Sequence, residues 1–524
     1  MSLSKSHTKS SPTEPWMAQN RADTHAADEI PLLADTCPTG LRDHQELDGI
    51  DDHPRLADTS LFFPSTKSSS RAADRQARFL KMLFASIWIA FTLALGASTV
   101  SGISPRKPTT APTFTKNQKL WAQYAPWFPA AQYRAPPSGC HITQVNILQR
   151  HGARFPTSGA TTAIRSALSK LSSVQNFTDP RLDFLRTYQY TLGINDLVPF
   201  GALQSSQSGQ EAFKRYSSIV KKDNVPFVRA ASSERVVLTA TNWTAGFSAA
   251  SHHVFNPVLN VIISEDGNNT LEDSLCPNAG NSAVQTQQWA QVFATPIADR
   301  LNQGAPGANL TAVDIFNLIS LCPFDSVAKE TKGPFCDIFD DAAFQGFEYT
   351  GDLDKFYGTG YGQALGRVQG VGYVNELLAR LTGKPVVDNT QTNRTLDSSP
   401  ITFPLNRTIY ADFSHDNQMI AIYSAIGLFR QPQPLNPTQP DERRTWVTAK
   451  LVPFSGRLVT EKLECGHGQA RKEFVRMLMN DALQPLEFCN GGKRRDGLCE
   501  LDAFVESQAY ARNDGEGDFQ KCFA

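Results

Sequence analysis

The chain has 524 residues, and its 50 Lys and Arg nearly balance 51 Asp and Glu, giving a formal net charge of −1. That length exceeds a typical single domain. The charge balance, with no long basic run beyond residue 100, argues against a nucleic-acid surface, so a basic site must be local. Residues 1–81 are rich in Ser, Thr, Asp, Arg and His and have no sustained apolar periodicity. They read as a disordered cytosolic tail, since they cannot bury enough surface to offset chain entropy. Residues 82–100 then run uncharged over a length that crosses one bilayer. Arg71, Arg75, Arg78 and Lys81 stand just before that run, and the positive-inside tendency places everything after it in the lumen or outside. A transmembrane signal-anchor of type II is the expectation. The small residues of ALGASTVSG offer a cleavage site that would release the rest in secreted form.

Export has two further signs. Sequons at Asn176, Asn242, Asn268, Asn309, Asn393 and Asn406 all follow the apolar run. A surface carrying that many glycans predicts a monomer. Cys37 precedes the run, whereas Cys140, Cys276, Cys322, Cys336, Cys465, Cys489, Cys499 and Cys522 follow it, an even set able to pair fully. Spacing alone leaves their connectivity open. No zinc-ribbon spacing occurs among them, so neither a metal nor another cofactor is assigned.

Residues 101–132, rich in Ser, Thr, Pro and Lys, read as a linker. Residues 133–524 read as the folded region, long enough for a large core. Strand candidates there are Ile142–Gln149, NVPFVRA, VLNVIIS, RTIYADF, AKLVPFSGRL and EFVRMLMN. SSERVVLTATNWTAGFSAA reads as a helix that Ser232 or Ser233 can cap. Helical patterns dominate from Leu275 to about Lys384, which predicts a helical lobe largely within 275–385. Strands separated by helical runs predict an α/β fold, a large α/β domain with a smaller, mostly helical one. Ligands in such sheets gather at the carboxyl ends of strands.

The first strand candidate runs into RHGARFPT. Arg150 and Arg154 flank His151 there, which suits phosphate oxygens, and a neutral, oriented imidazole can attack phosphorus. Gly152 permits close backbone approach and Pro156 restrains the loop after it. YADFSHDNQ supplies His415 and Asp416, able to hydrogen-bond a phosphoryl oxygen and to protonate a leaving oxygen. The same segment also reads as a helix start capped by Ser414 or Asp416, and a helix N-terminus itself attracts phosphate. Arg229 taken alone reads as a solvated or ion-paired arginine.

RHGARFPT and SHDN together resemble the histidine acid phosphatase superfamily. FLRTYQYTLGINDLVPFG, VPFVRAASSERV, TNWTAGF and QGVGYVNELLARLT extend the resemblance to fungal phytases over about 134–524. It implies His151 as nucleophile and Arg150, Arg154 and Arg229 as ligands of the scissile phosphate. His415 would assist at the same phosphate, while Asp416 would act as the proton donor. It also implies the disulfides Cys140–Cys465, Cys276–Cys522, Cys322–Cys336 and Cys489–Cys499. The implied substrate is phytate, inositol hexakisphosphate, with a broad acid phosphatase as the alternative. Phytate preference in the family goes with basic residues before the FLRTY stretch. Here DPRLDFLRTY retains Arg181 and Arg186, expected to bind substrate, but interposes Asp179 and Asp183.

Overall fold

The structure, a computed structural model, describes residues 113–466, 468–489 and 496–524. The predicted tail (1–81), the apolar run (82–100) and Cys37 lie outside the described residues. Among those described, no helix is long and apolar enough to cross a membrane.

Eight strands form one mixed sheet: β1 (Cys140–Arg150), β2 (Phe227–Ala231), β3 (Leu259–Ile263), β4 (Ile409–Ser414), β5 (Arg457–Cys465), β6 (Lys472–Met479), β7 (Ala482–Leu483) and β8 (Cys499–Glu500). Their order is β3-β2-β4-β1-β5-β6-β7, with β8 beside β6. β1, β4, β2 and β3 pair in parallel; β5 turns antiparallel to β1, and β6 to β5. The parallel strands β2 and β4 are buried along their whole length, and β1 from Gln144 onward, so they show no alternation of buried and exposed positions.

The longer helices are α1 (Ser158–Ser172), α2 (Pro199–Tyr216), α3 (Glu234–Ala250), α4 (Ala283–Phe293), α5 (Thr295–Gly304), α6 (Ala312–Lys329), α7 (Asp341–Gly358), α8 (Val371–Thr382) and α9 (Asp416–Ile426). Two apolar cores divide them. One surrounds the sheet with α2, α3, α8 and α9. The other gathers α1 and α4–α6, and α7 joins both through Phe344 and Phe347 on one side and Leu353 and Phe356 on the other. The helical lobe therefore differs from the span expected at 275–385. α1 enters it because Thr161, Ile164, Ala167, Leu168 and Leu171 form one buried stripe facing α6. α8 leaves it because it is buried from Val371 to Leu381 and belongs to the sheet core.

Two other expectations change. Residues 113–132 are not a free linker: Phe114, Trp121, Ala122 and Ala125 are buried in the helical core. AKLVPFSGRL is not one strand. Thr448–Leu451 forms a helical turn held by the Thr448 N–H donating to Asp352, Pro453 lacks an N–H, and Ser455 is left-handed at φ 57°, so the strand starts at Arg457. The disulfides pair Cys140–Cys465, Cys276–Cys522, Cys322–Cys336 and Cys489–Cys499.

Candidate active site

Strand register brings the two motifs together. Arg150 at the end of β1 lies opposite Ser414 at the end of β4, and the His151 N–H donates to the Ser414 carbonyl at 3.0 Å. Beyond it Gly152 passes so close to α2 that a Cβ would stand 2.6 Å from the Gly201 carbonyl oxygen, so only glycine fits without a shift. The Gly152 N–H donates to Thr239 Oγ1 of α3 at 2.9 Å. These contacts fix the His151 loop between two helices.

His151 is buried, and its Nδ1 lies 2.9 Å from the Gly152 carbonyl. A carbonyl only accepts, so Nδ1 carries the proton and Nε2 keeps its lone pair. Burial, then the charges of Arg150, Arg154, His415 and Arg235, pushes the imidazole well below its ordinary value. It is therefore a neutral nitrogen base surrounded by cations.

Arg150 is fully buried. Its Nη1 donates to the Gln123 and Val452 carbonyls, the latter at 2.7 Å, its Nη2 lies 3.2 Å from Asp416 Oδ2, and its plane rests 4.8 Å from the Phe454 ring. Asp416 opens α9 and is also held by Lys355 Nζ at 3.1 Å. Burial raises the Asp416 carboxyl, but Arg150, Lys355, His151 and Arg154 outweigh it and hold it well below the usual range. Arg154 donates to the Phe155 carbonyl at 2.8 Å, and burial pulls it down to about 10. His415 is the N-cap residue of α9, so neither Ser414 nor Asp416 caps that helix. Its Nδ1 meets Arg235 Nη2 at 3.1 Å, while its Nε2 meets Glu265 at 3.0 Å and Glu272 at 3.1 Å. Arg235 lies in the first turn of α3. Ser233 does not cap that helix through its side chain; instead its N–H and Oγ donate to Glu265, at 2.9 and 2.6 Å. Glu265 thus ties the start of α3 to His415.

The ligand atoms of Glu265, Glu272 and His415 converge within 4.8 Å, a geometry that also suits a cation. Arg235 faces the same imidazole, so the group already forms a closed ion-pair relay from guanidinium to carboxylates. Burial and the neighbouring Asp273 and Glu265 push the Glu272 carboxyl up to about 8.

Arg229 does not join the site. It is buried at the other side of β2, bound to Glu376 at 2.5 Å and Asp412 at 2.8 Å, and Arg380 clasps the same Asp412 at 2.5 Å. Its charge is fully matched there, which removes it from phosphate binding. The arginine acting on His151 from this part of the chain is Arg235, which follows Arg229 in VPFVRAASSERV beyond the end of β2 and at the start of α3. Arg235→Ala should lower kcat/KM about 10²-fold or more with little change in stability. Arg229→Ala should instead cost about 3–5 kcal/mol of stability, because buried Glu376 loses its cation and Asp412 is left with Arg380 alone. Denaturant unfolding and steady-state kinetics on both variants separate the roles.

Arg181 and Arg186 each pair with a neighbouring aspartate. Arg181 grips Asp179 at 2.6 Å, and Arg186 contacts Asp183 at 3.3 Å and lies over Phe177. Both are exposed and already paired, so the interposed aspartates occupy the basic groups expected to hold substrate. Lys355 was missed in the sequence because one lysine among acids in GDLDKFYG has no motif of its own. Gln123 and Tyr124 were missed because they fall in the apparent linker.

Near Arg229, burial and then the charge of Glu376 push the Asp397 carboxyl up to about 8. Unfolded, it titrates near about 4. An acid whose folded value is raised contributes stability that is complete below about pH 4 and is lost as pH rises towards 8. Asp397→Asn should flatten that decline, read as the midpoint of chemical unfolding at pH 4.5 and 8.

The Nε groups of Arg150, Arg154 and Arg235 have no acceptor among the described residues. Two helix N-termini, of α3 and α9, reinforce the same positive field. Fold and site together define an enzyme of phosphate-ester chemistry. The chain belongs to the histidine phosphatase superfamily (branch 2), whose profile matches residues 141–480, and it is a phosphoric monoester hydrolase. It is 39% identical over 446 residues to Phytase A of Arthroderma benhamiae, across 82% of this chain and 97% of that one. It is 40% identical over 435 residues to a Phytase A of Aspergillus terreus, across 78% and 91%. The crystal structure of the phytase from D. castellii shares the fold, with a TM-score of 0.62 at 23% identity over 75% of this chain and 84% of that one.

Proposed function

We propose that the protein hydrolyses phosphate monoesters, with phytate as principal substrate, through a phosphohistidine at His151. The carrying observation is the His151 ring, whose Nδ1 is committed to Gly152 while guanidinium donors without acceptors surround it. Phytate as substrate rests on the Phytase A relatives.

In the first step the Nε2 lone pair forms a P–N bond as the P–O bond to the leaving alcohol breaks, and Asp416 in its acid form gives that oxygen a proton. Arg150, Arg154 and Arg235 stabilise charge on the phosphoryl oxygens, with His415 alongside. In the second step water forms a P–O bond, its proton passes to the Asp416 carboxylate, and the P–N bond breaks to restore neutral His151. No step draws on a cofactor. The full chain, expressed through a secretory route, should release phosphate from phytate in excess EDTA. Loss of release in EDTA would overturn this mechanism.

The catalytic region is further read as facing the lumen or exterior, with residues 82–100 as its anchor unless cleaved, and as a monomer. Four disulfides support an oxidising compartment, and none of the six sequon asparagines is buried. Alkaline carbonate extraction and glycosidase digestion of the full chain test the anchor and the glycans: release into the soluble fraction would count against a retained anchor.

A further inference from the structure

We propose that Glu348 of α7 is a positioning residue for Arg150: its one carboxyl group ties together the two backbone segments whose carbonyls hold that guanidinium, and phosphate affinity depends on the tie. The inference rests on the phosphatase reading above, in which Arg150 binds the phosphoryl oxygens.

The carbonyls that accept from Arg150 Nη1 belong to Gln123 and Val452, which are far apart along the chain. Gln123 sits in a single 3-10 turn (Ala122–Tyr124) and Val452 ends the turn Thr448–Leu451, so neither is held by a long element of its own. Glu348 supplies the anchor. Its Oε2 accepts from the Ala122 N–H at 2.6 Å and its Oε1 from the Ala449 N–H at 2.9 Å, and each N–H lies within a few residues of the carbonyl in question. All of this is buried, so an N–H left without an acceptor would pull its segment away from α7 towards another partner. A carboxyl group offers two acceptor oxygens, whereas a glutamine would set an NH2 against one of the two N–H groups.

Neighbouring contacts close the assembly. Asp352, on the same face of α7, accepts from the Thr448 N–H at 2.6 Å, and the Phe454 N–H donates to the Ala125 carbonyl at 2.9 Å, which joins the two segments directly. Phe454 then lays its ring against Arg150. Gly351 lies against both segments: a Cβ there would stand 2.5 Å from the Ala122 Cβ and 3.6 Å from that of Thr448. The helix therefore fits the tie closely enough for one methyl group to disturb it.

The test is calorimetric titration of the full chain with inorganic phosphate, in the parent, Glu348→Gln, Arg150→Ala and the double variant. Glu348→Gln should raise Kd about tenfold in the parent and less than about twofold once Arg150 is gone, because nothing is then left to position. A carboxyl that merely stabilises the fold would give the same factor in both backgrounds. That equal factor, or a parent Kd in Glu348→Gln, overturns the proposal. Gly351→Ala decides where Glu348→Gln does not fold or Arg150→Ala binds no phosphate. Alanine is the better helix former, but its Cβ wedges Ala122 away from α7, and Kd should rise several-fold. Adding Ala122→Gly removes the opposing methyl at a residue whose φ is 49°, a conformation that suits glycine. Kd should then return to within about twofold of the parent. A parent Kd in Gly351→Ala, or a raised one that Ala122→Gly leaves in place, overturns the proposal. A folded parent that binds no phosphate overturns it too if phytate is hydrolysed, and takes the phosphatase reading with it if phytate is not.

Discussion

His151→Ala should abolish turnover, lowering kcat by about 10⁴-fold or more for every phosphate ester, good leaving group or poor. The expectation rests on the isolation of the imidazole. Nδ1 is spent on Gly152, and the surrounding arginines, being protonated, cannot attack phosphorus. His415 stands close, with ring centres 5.6 Å apart, but its two nitrogens are occupied by Arg235 and by the pair Glu265 and Glu272. No second nitrogen is therefore ready to replace the first. The variant should still bind inorganic phosphate, since Arg150, Arg154 and Arg235 are unaltered, and should keep its circular dichroism spectrum. The parent enzyme mixed with labelled substrate and quenched in alkaline denaturant should carry label, because a P–N bond survives base and not acid; the His151→Ala variant should carry none. Label retained in the variant at the parent's level would mean that another residue is the nucleophile.

How much of this site was legible in the sequence depended on how local each role is. His151, Arg150 and Arg154 share one loop, so their type and spacing carried the chemistry, and strand register then delivered Asp416 and His415 to the same edge. Arg229 and Arg235 show the limit. Both lie in one stretch, and only the direction of β2 decides that the first is buried against Glu376 and Asp412 while the second emerges at the head of α3. Sequence holds no record of the partner carboxylates, which are far from Arg229 along the chain. The linker was misread for a related reason. Leu120, Trp121 and Ala122 are a short apolar run directly behind a Ser-, Thr-, Pro- and Lys-rich stretch, and they are held in place by Glu348 of α7 accepting from the Ala122 N–H at 2.6 Å. That contact also delivers the Gln123 carbonyl to Arg150, so a segment that reads as tether helps to position a candidate site residue. The sheet, by contrast, was largely legible because its central parallel strands are short runs rich in aliphatic, aromatic and small apolar residues, interrupted within by Arg229 and Asp412 alone.

Asp416→Asn should separate binding from leaving-group protonation. In the free enzyme Asp416 is a carboxylate, because Arg150 and Lys355 hold its proton affinity well below that of an ordinary acid. An anion cannot donate a proton, so the acid form must arise when substrate binds. Bound phosphate shares Arg150 and brings negative charge near Asp416, and both effects raise the carboxyl. The productive complex therefore holds one proton more than the free enzyme plus phosphate dianion, and kcat/KM should fall as pH rises through the range where that proton is lost. The asparagine keeps the shape and removes both the proton and the competing charge on Arg150. Inhibition by inorganic phosphate should be unchanged or tighter. Turnover of ethyl phosphate, whose alkoxide needs the proton, should fall about 10²- to 10⁴-fold, whereas 4-nitrophenyl phosphate, whose leaving group is stable as an anion, should lose about tenfold or less. The measurement is the ratio of the two losses, taken with the phosphate inhibition constant at acidic pH. Equal losses on both esters would move the proton donor to another residue, and Asp416 would then serve only to orient Arg150 and Lys355.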